Sequence, residues 1–183
     1  MFFFEKQLAS LHYDLHVTDL VARTPAAYAR LLTLLADHGT LGQSMHYAGT
    51  LSDPILQLLP DHQYRTGALE HWMMRVVDVR AALERRGYAL READVGLELD
   101  VRDELLPANA GRYVLRVSGG RGTVRRGGGG ALRLDVRALS PLYSGHLTAR
   151  TLASIGQLDA EPDALAHADG IFTSPHPWMP DFF

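Results

Sequence analysis

The sequence predicts two folded regions, an α/β region over residues 1–87 and an α+β region over residues 88–183. A length of 183 residues suits one large domain or two small ones. The first part of the chain alternates strands with helices, whereas the second part groups its strands ahead of its helices. With 46% hydrophobic and 21% charged residues, the composition excludes a disordered tail or a fibre. No apolar run approaches the roughly 20 residues that a membrane span needs.

In the first region, periodicity and capping signals predict alternating strands and helices. A loose alternation over His12–Ala22 predicts a strand. Thr24 is the predicted N-cap of the helix that follows, with Pro25 at its first position. Gln43–Gly49 is predicted to be a strand, and the apolar run Trp72–Val77 another.

Asp78 is predicted to cap a helix over Val79–Arg86 that ends at Gly87. Beyond it, alternation with glycine-rich turns predicts a run of strands. These strands are expected over Val95–Val101, Tyr113–Val117, Thr123–Arg125 and Leu132–Val136. Helices are expected around Ala138–Tyr143, over Thr148–Ile155 and over Pro162–Asp169, the last ended by Gly170.

The residue content argues against several classes of site. There is no cysteine, so a disulfide framework, a thiolate zinc site and a cysteine nucleophile are excluded. The nine histidines are scattered, and the His-Glu-x-x-His pattern is absent, so no metal site is expected. Between Arg112 and Arg137 there are seven arginines against one acid, but they alternate with apolar residues in a chain of net charge −3. We interpret them as the solvated face of a sheet and expect no nucleic-acid partner.

Arg125–Gly130 formally fits the Arg-x-x-Gly-x-Gly loop with which acetyltransferases of the GNAT superfamily hold the pyrophosphate of coenzyme A. Such a loop needs backbone N–H groups that point at phosphate where a helix begins. Here the alternating run Leu132–Val136 predicts that a strand follows. We therefore interpret the glycines as a connection between strands.

The C-terminus ends in Pro-Trp-Met-Pro-Asp-Phe-Phe, which is costly to leave in water, because each large apolar side chain contributes roughly 1.5–3 kcal/mol on burial. One interpretation is that the tail docks on its own domain. The other is functional, because half-burial of the α-carboxylate raises its pKa and makes it a better proton acceptor.

Four motifs follow one another along the chain. They are Trp72–Val79 with Ala81-Ala82-Leu83 and Arg86-Gly87-Tyr88; Leu97–Val101 with Asp103, Asn109 and Gly111; Ala138-Leu139-Ser140 with Leu142–Gly145; and Pro177–Phe183. Together they resemble the C-terminal half of the enhanced-intracellular-survival (Eis) type acetyltransferases over residues 12–183. The resemblance implies part of a degenerate second GNAT-like domain over residues 1–87 and a domain like sterol carrier protein 2 over residues 88–183.

The resemblance also implies a site. The terminal carboxylate of Phe183 would be the general base, and Asp181, Phe182, Trp178 and Asp78 would line the substrate pocket. Acetyl-CoA would be bound by an N-terminal GNAT catalytic domain in sequence ahead of this chain. No cofactor or metal is expected here, and the isolated chain is expected to be inactive.

The implied reaction is acetyl transfer to a primary amine, of an aminoglycoside-like compound or of lysine, in a cytoplasmic homo-oligomer without a membrane partner. The alternative left open is a module of another class. Carrier-like folds can bind lipids or other hydrophobic ligands, and the chain can also be a scaffold for oligomerisation.

Overall fold

The computed structural model describes residues 1–8, 11–59, 64–90 and 93–179. The chain forms two compact units. The first unit comprises Met1–Gly67 together with the chain from Trp178 onward, and the second unit comprises Ala68–Pro177. None of the described helices combines the length and the apolar character that crossing a membrane requires.

The first unit is built on a three-stranded sheet with one crossover helix. Its strands are β1 (Phe2–Gln7), β2 (Tyr13–Asp19) and β3 (Gly42–Tyr47), in the order β1-β2-β3, and its helix is α1 (Pro25–Asp37). β1 runs antiparallel to β2, whereas β3 runs parallel to it, so the connection between β2 and β3 is the βαβ unit expected for parallel neighbours.

The predicted start of α1 is confirmed. The Thr24 hydroxyl accepts a hydrogen bond from the Ala27 N–H at 3.1 Å, and Pro25 occupies the first turn. A small core lies between the helix and the sheet. Its buried residues are Leu15, Val17, Leu20, Leu35 and Ile55.

The second unit contains a five-stranded sheet. Its strands are β4 (Val95–Arg102), β5 (Gly111–Ser118), β6 (Arg121–Arg126), β7 (Leu132–Asp135) and β8 (Leu158–Ala160), in the order β6-β5-β4-β7-β8. β4 and β7 are parallel, and the other neighbours are antiparallel. The four predicted strands of this region are confirmed, although the last ends at Asp135 because Val136 begins a helix.

Four helices accompany this sheet: α2 (Val79–Arg85), α3 (Val136–Ser144), α4 (Ala149–Ser154) and α5 (Pro162–Phe172). The side chains of Asp78, Asp135 and Thr148 cap the first three. The predicted end of the last helix at Gly170 is wrong. α5 continues to Phe172, because Ile171 and Phe172 are buried in the core of the unit.

The strand predicted over Trp72–Val77 is also wrong. The segment has no strand partner among the described residues. The Val76 N–H instead donates to the Ser140 hydroxyl at 3.1 Å, and Val76 is buried. A side chain thus supplies the partner that a neighbouring strand would otherwise provide.

The structure divides the chain after Gly67. The division predicted from the sequence assigns α2 to the first region. In the structure, the fully buried side chains of Val79 and Leu83 place α2 in the core of the second unit. The helix is therefore part of the scaffold that carries Asp78.

One glycine after α3 and one after α4 have the same backbone conformation, so they give a matched test of the close packing at the end of α3. Gly145 and Gly156 have φ of +76° and +71°. A Cβ added at Gly145 would clash with the Ser174 hydroxyl oxygen, whereas one added at Gly156 would meet nothing within 4 Å.

We expect Gly156→Ala to lower the free energy of unfolding by about 1–2 kcal/mol, the cost of a left-handed alanine. Gly145→Ala should cost more, because it must also displace Ser174. Urea unfolding of the two variants measures the difference, and an equal loss in both would contradict the close approach of Ser174 to Gly145.

Candidate functional site

Asp78 lies at the N-terminus of α2, on the surface of the second unit. As predicted, it caps the helix, because its Oδ1 accepts a hydrogen bond from the Ala81 N–H at 2.9 Å. The residue also borders a cavity of about 320 Å³, whose walls are mostly apolar. The lining residues are Met74, Arg75, Val76, Val77, Asp78, Ala81, Ala82, Arg85 and Tyr143.

A buried carboxylate holds the segment that leads to Asp78. The side chain of Asp103 has no exposed surface, and its Oδ1 accepts a hydrogen bond from Arg75 Nη2 at 2.5 Å. The backbone N–H groups of Leu105 and Leu106 donate to the same oxygen, and Asn109 Nδ2 donates to Oδ2 at 3.0 Å. Both oxygens are therefore satisfied, as a buried charge requires.

Asn109 fixes the residues on both sides of Asp78. Its Nδ2 donates to the Val77 carbonyl at 3.1 Å, and its Oδ1 accepts from the Val79 N–H at 3.1 Å. The backbone carbonyl of Asn109 in turn accepts from the Tyr113 hydroxyl at 2.6 Å. The backbone that carries the exposed Asp78 carboxylate is thus held from inside the unit.

The environment of Asp103 favours its charged form. Burial alone would raise the pKa of this carboxyl group. The hydrogen bonds from Asn109 and from the Leu106 N–H, together with the charge of Arg75, outweigh burial and hold the pKa below its usual range.

The glycine-rich loop is a connection between β6 and β7, as the sequence predicts. Gly127, Gly128 and Gly130 have positive φ, and the strand β7 follows them. The N–H of Gly129 donates to the carboxylate of Glu98 on β4. A loop that already binds the chain's own carboxylate is a poor site for a phosphate, because the two negative charges repel.

Two further groups that could bind an anion are already engaged within the chain. The guanidinium of Arg126, in the motif, donates to the backbone carbonyls of Ala108 and Ala110 and lies 4.2 Å from the ring centroid of Tyr113. At the start of α1, the Thr24 hydroxyl already accepts from a backbone N–H and Pro25 has none to offer. These groups do not fit coenzyme A.

Arg86 is a half-buried cation that sequence analysis did not single out for any role. It donates from Nε to the Tyr143 carbonyl at 2.9 Å, from Nη1 to the Gly87 carbonyl at 2.9 Å, and from Nη2 to the Phe172 carbonyl at 3.0 Å. The rings of Tyr88, Tyr143 and Phe172 surround it, with centroids 5.0–5.9 Å from Cζ. Burial lowers the pKa of this guanidinium. In the sequence, Arg86 is noticed only as part of the motif Arg86-Gly87-Tyr88, on which the family resemblance partly rests.

The structure describes two of the five predicted site residues. Asp78 belongs to the second unit, and Trp178, which is 39% exposed, is grouped with the first. Asp181, Phe182 and Phe183 lie outside the described residues, so the roles of all five residues remain predictions. Among the residues that the structure does describe, no group of three histidine or acidic side chains is placed to hold a metal ion.

Comparison with known families divides the chain into two matched parts. Residues 79–180 match the family model described as a sterol carrier protein domain. Residues 2–76 match the family model described as an acetyltransferase (GNAT) domain.

Individual relatives agree with these matches. An uncharacterized N-acetyltransferase from Streptomyces avermitilis is 34% identical over 172 residues, which are 90% of this chain and 40% of the relative. The N-acetyltransferase Eis from Mycobacterium tuberculosis is 31% identical over 129 residues, which are 68% of this chain and 31% of that protein.

A crystal structure of a GCN5-related N-acetyltransferase from Anabaena variabilis matches 99% of this chain with a TM-score of 0.91 and 34% identity. The match covers 46% of that protein. The chain therefore spans less than half the length of each of these relatives.

The Asp103 network predicts a pH-dependent stability. The folded state lowers the pKa of the Asp103 carboxyl group. Its contribution to the free energy of unfolding is therefore present above the unfolded-state pKa of about 4 and is lost as the pH falls. Asp103→Asn should therefore lower the free energy of unfolding at pH 7 and should make a smaller difference at pH 3.

Urea unfolding of the parent and the variant at both pH values measures this difference. Asp159→Asn is the matched control, because Asp159 pairs with Arg133 on the surface, where ion pairs contribute little. A loss at Asp103 that is the same at both pH values would contradict the lowered pKa.

Proposed function

We propose that this chain forms the substrate-side, C-terminal half of an Eis-type enzyme. The premise is that the chain belongs to the GNAT N-acetyltransferases that carry a sterol carrier protein domain. The observation that carries the proposal is the succession of the two family matches, over residues 2–76 and 79–180, in a chain spanning less than half of its relatives. The proposed substrate is a primary amine, either aminoglycoside-like or a lysine side chain.

The donor acetyl-CoA is proposed to bind outside the described residues, on an N-terminal GNAT catalytic domain. This follows from the poor fit of the candidate anion-binding groups in this chain. The glycine loop donates to Glu98, and the helix start at Thr24 is capped. The isolated chain is accordingly proposed to be inactive.

The proposed contribution of this chain is to bind the amine and accept its proton. A primary amine with a pKa of about 10 is protonated at neutral pH and must lose a proton before it can attack a carbonyl. The carboxylate of Phe183 is the proposed acceptor, with Asp181, Phe182 and Trp178 beside it. Asp78, exposed and held at both neighbouring residues by Asn109, is proposed to attract the ammonium group.

The proposal also includes assembly into a homo-oligomer and a cytoplasmic location, which rest on the resemblance alone. The packed interior of the second unit does not favour the lipid-carrier alternative. Its sheet and helices share one core of fully buried side chains, among them Leu99, Leu115, Leu132, Leu139 and Leu142.

The experiment places this chain in a hybrid enzyme, in which residues 1–183 replace the matching region of the Anabaena variabilis protein. We expect calorimetry to detect no binding of acetyl-CoA to the isolated chain, and the hybrid to acetylate a primary amine. One glycine added after Phe183 moves the carboxylate by about 3.5 Å. We expect this extension to lower kcat of the hybrid about a hundredfold, since errors of about 1 Å can cost that much.

The matched control is one glycine inserted after Gly127, which is exposed and where an added Cβ would meet nothing within 4 Å; it should leave kcat unchanged. Full activity of the extended hybrid would show that the terminus only packs and would remove the catalytic role of Phe183. Micromolar binding of acetyl-CoA to the isolated chain, lost in Gly128→Val, would contradict the placement of the donor site.

A further inference from the structure

Arg86 has no carboxylate partner among the described residues, although it is a half-buried cation. Its negative partners are backbone carbonyls. Tyr143 lies in the last turn of α3, and Phe172 is the last residue of α5. Carbonyls in these positions lack partners within their own helices and carry the negative end of the helix dipole. One guanidinium therefore satisfies the ends of two helices at once.

The shape of the arginine side chain matters here. Its planar group donates in three directions from Nε, Nη1 and Nη2, to carbonyls of three different residues. The rings of Tyr88, Tyr143 and Phe172 confine it through cation–π contacts. A lysine keeps the charge but cannot reproduce this fork, so Arg86→Lys tests geometry separately from charge.

Phe172 is the last residue of α5, and the C-terminal tail, residues 173–183, begins at the next residue. Phe172 itself is buried. Two residues later, the Ser174 hydroxyl donates to the Ser144 carbonyl at 3.0 Å, beside the left-handed Gly145. The start of the tail is thus tied to the end of α5 by Arg86 and to the end of α3 by Ser174.

We propose that Arg86 is a positioning residue for the C-terminal tail: by holding the Phe172 carbonyl, it fixes the point and direction from which the tail departs. The importance of this for catalysis rests on the proposed function, in which the tail ends in the general base. A purely structural role would instead make Arg86 variants lose stability throughout the second unit without moving the tail selectively.

The experiment uses the full chain, whose lack of cysteine allows spin labels at two chosen positions. The tail pair is Arg116→Cys on β5 with Pro177→Cys in the tail, and the reference pair is Arg116→Cys with Ile155→Cys after α4. All three side chains are exposed. Pulsed electron paramagnetic resonance measures the distance distribution of each pair in the parent, in Arg86→Lys and in Arg86→Met. Arg85→Lys is the matched control, since Arg85 is adjacent and exposed.

We expect one narrow distribution for both pairs in the parent and in Arg85→Lys. In Arg86→Lys, the tail pair should lose its narrow distribution while the reference pair keeps it. An unchanged tail pair in Arg86→Lys would overturn the proposal, and so would equal broadening of both pairs, which would show a structural role. If Arg86→Met does not fold, Arg86→Lys alone decides.

The hybrid enzyme separates this proposal from the proposed function. If the tail is the base, Arg86→Lys should lower kcat and leave the KM for acetyl-CoA unchanged. A broadened tail pair with unchanged kcat would support the positioning role of Arg86 and would contradict the catalytic role of the tail.

Discussion

Three of the four helices described in the second unit, α2, α3 and α5, end close to the guanidinium of Arg86. α2 ends immediately before this residue, and the carbonyls of Tyr143 and Phe172 bring the C-terminal ends of α3 and α5 to the same cation. Ends of the same polarity repel one another when they meet in a protein of low dielectric constant. A cation between them removes this repulsion. Among the described residues Arg86 has no carboxylate partner, and the negative charge of such a partner would itself repel the carbonyls. The buried core places α3 and α5 on the sheet, and the contacts of Arg86 join the ends of these two helices where the tail begins.

In the second unit, several groups that the sequence suggests for binding a ligand are instead engaged in contacts within the chain. The Gly129 N–H, in a loop that resembles a phosphate loop, is bound to Glu98, and the motif residue Arg126 is bound to backbone carbonyls. The Asp103 carboxylate is likewise enclosed by donors. Asp78 differs from these groups, because it is exposed while the backbone on both sides of it is fixed by Asn109. Asp78 is therefore an exposed carboxylate on a fixed backbone, and the tail begins at an anchored position.

Much of the fold could be predicted from local sequence, because the signals act over a few residues. Alternation located β4, β5 and β7, and the caps Thr24 and Asp78 marked the starts of two helices. The failures depend on distant partners. The Val76 N–H donates to a hydroxyl 64 residues away, which no local pattern reveals, so the apolar run around Val76 predicts a strand that the structure does not contain. The partners of Arg86 are equally remote, with Phe172 86 residues along the chain. For the candidate site, local sequence patterns predict Asp78 only as a helix cap, and the proposed role of Phe183 rests on the family resemblance.

The measurement that tests this account most directly is the solvent exchange of the Arg86 Nε–H, followed by nitrogen-15 nuclear magnetic resonance. The Nε–H donates to the Tyr143 carbonyl at 2.9 Å inside a cage of aromatic rings, whereas the neighbouring Arg85 is exposed. The account predicts that the Arg86 proton exchanges at least about tenfold more slowly than that of Arg85, as expected for a hydrogen bond of about 1.5 kcal/mol. Equal exchange rates for the two arginines would show that the helix ends are not held by Arg86 and would contradict the account.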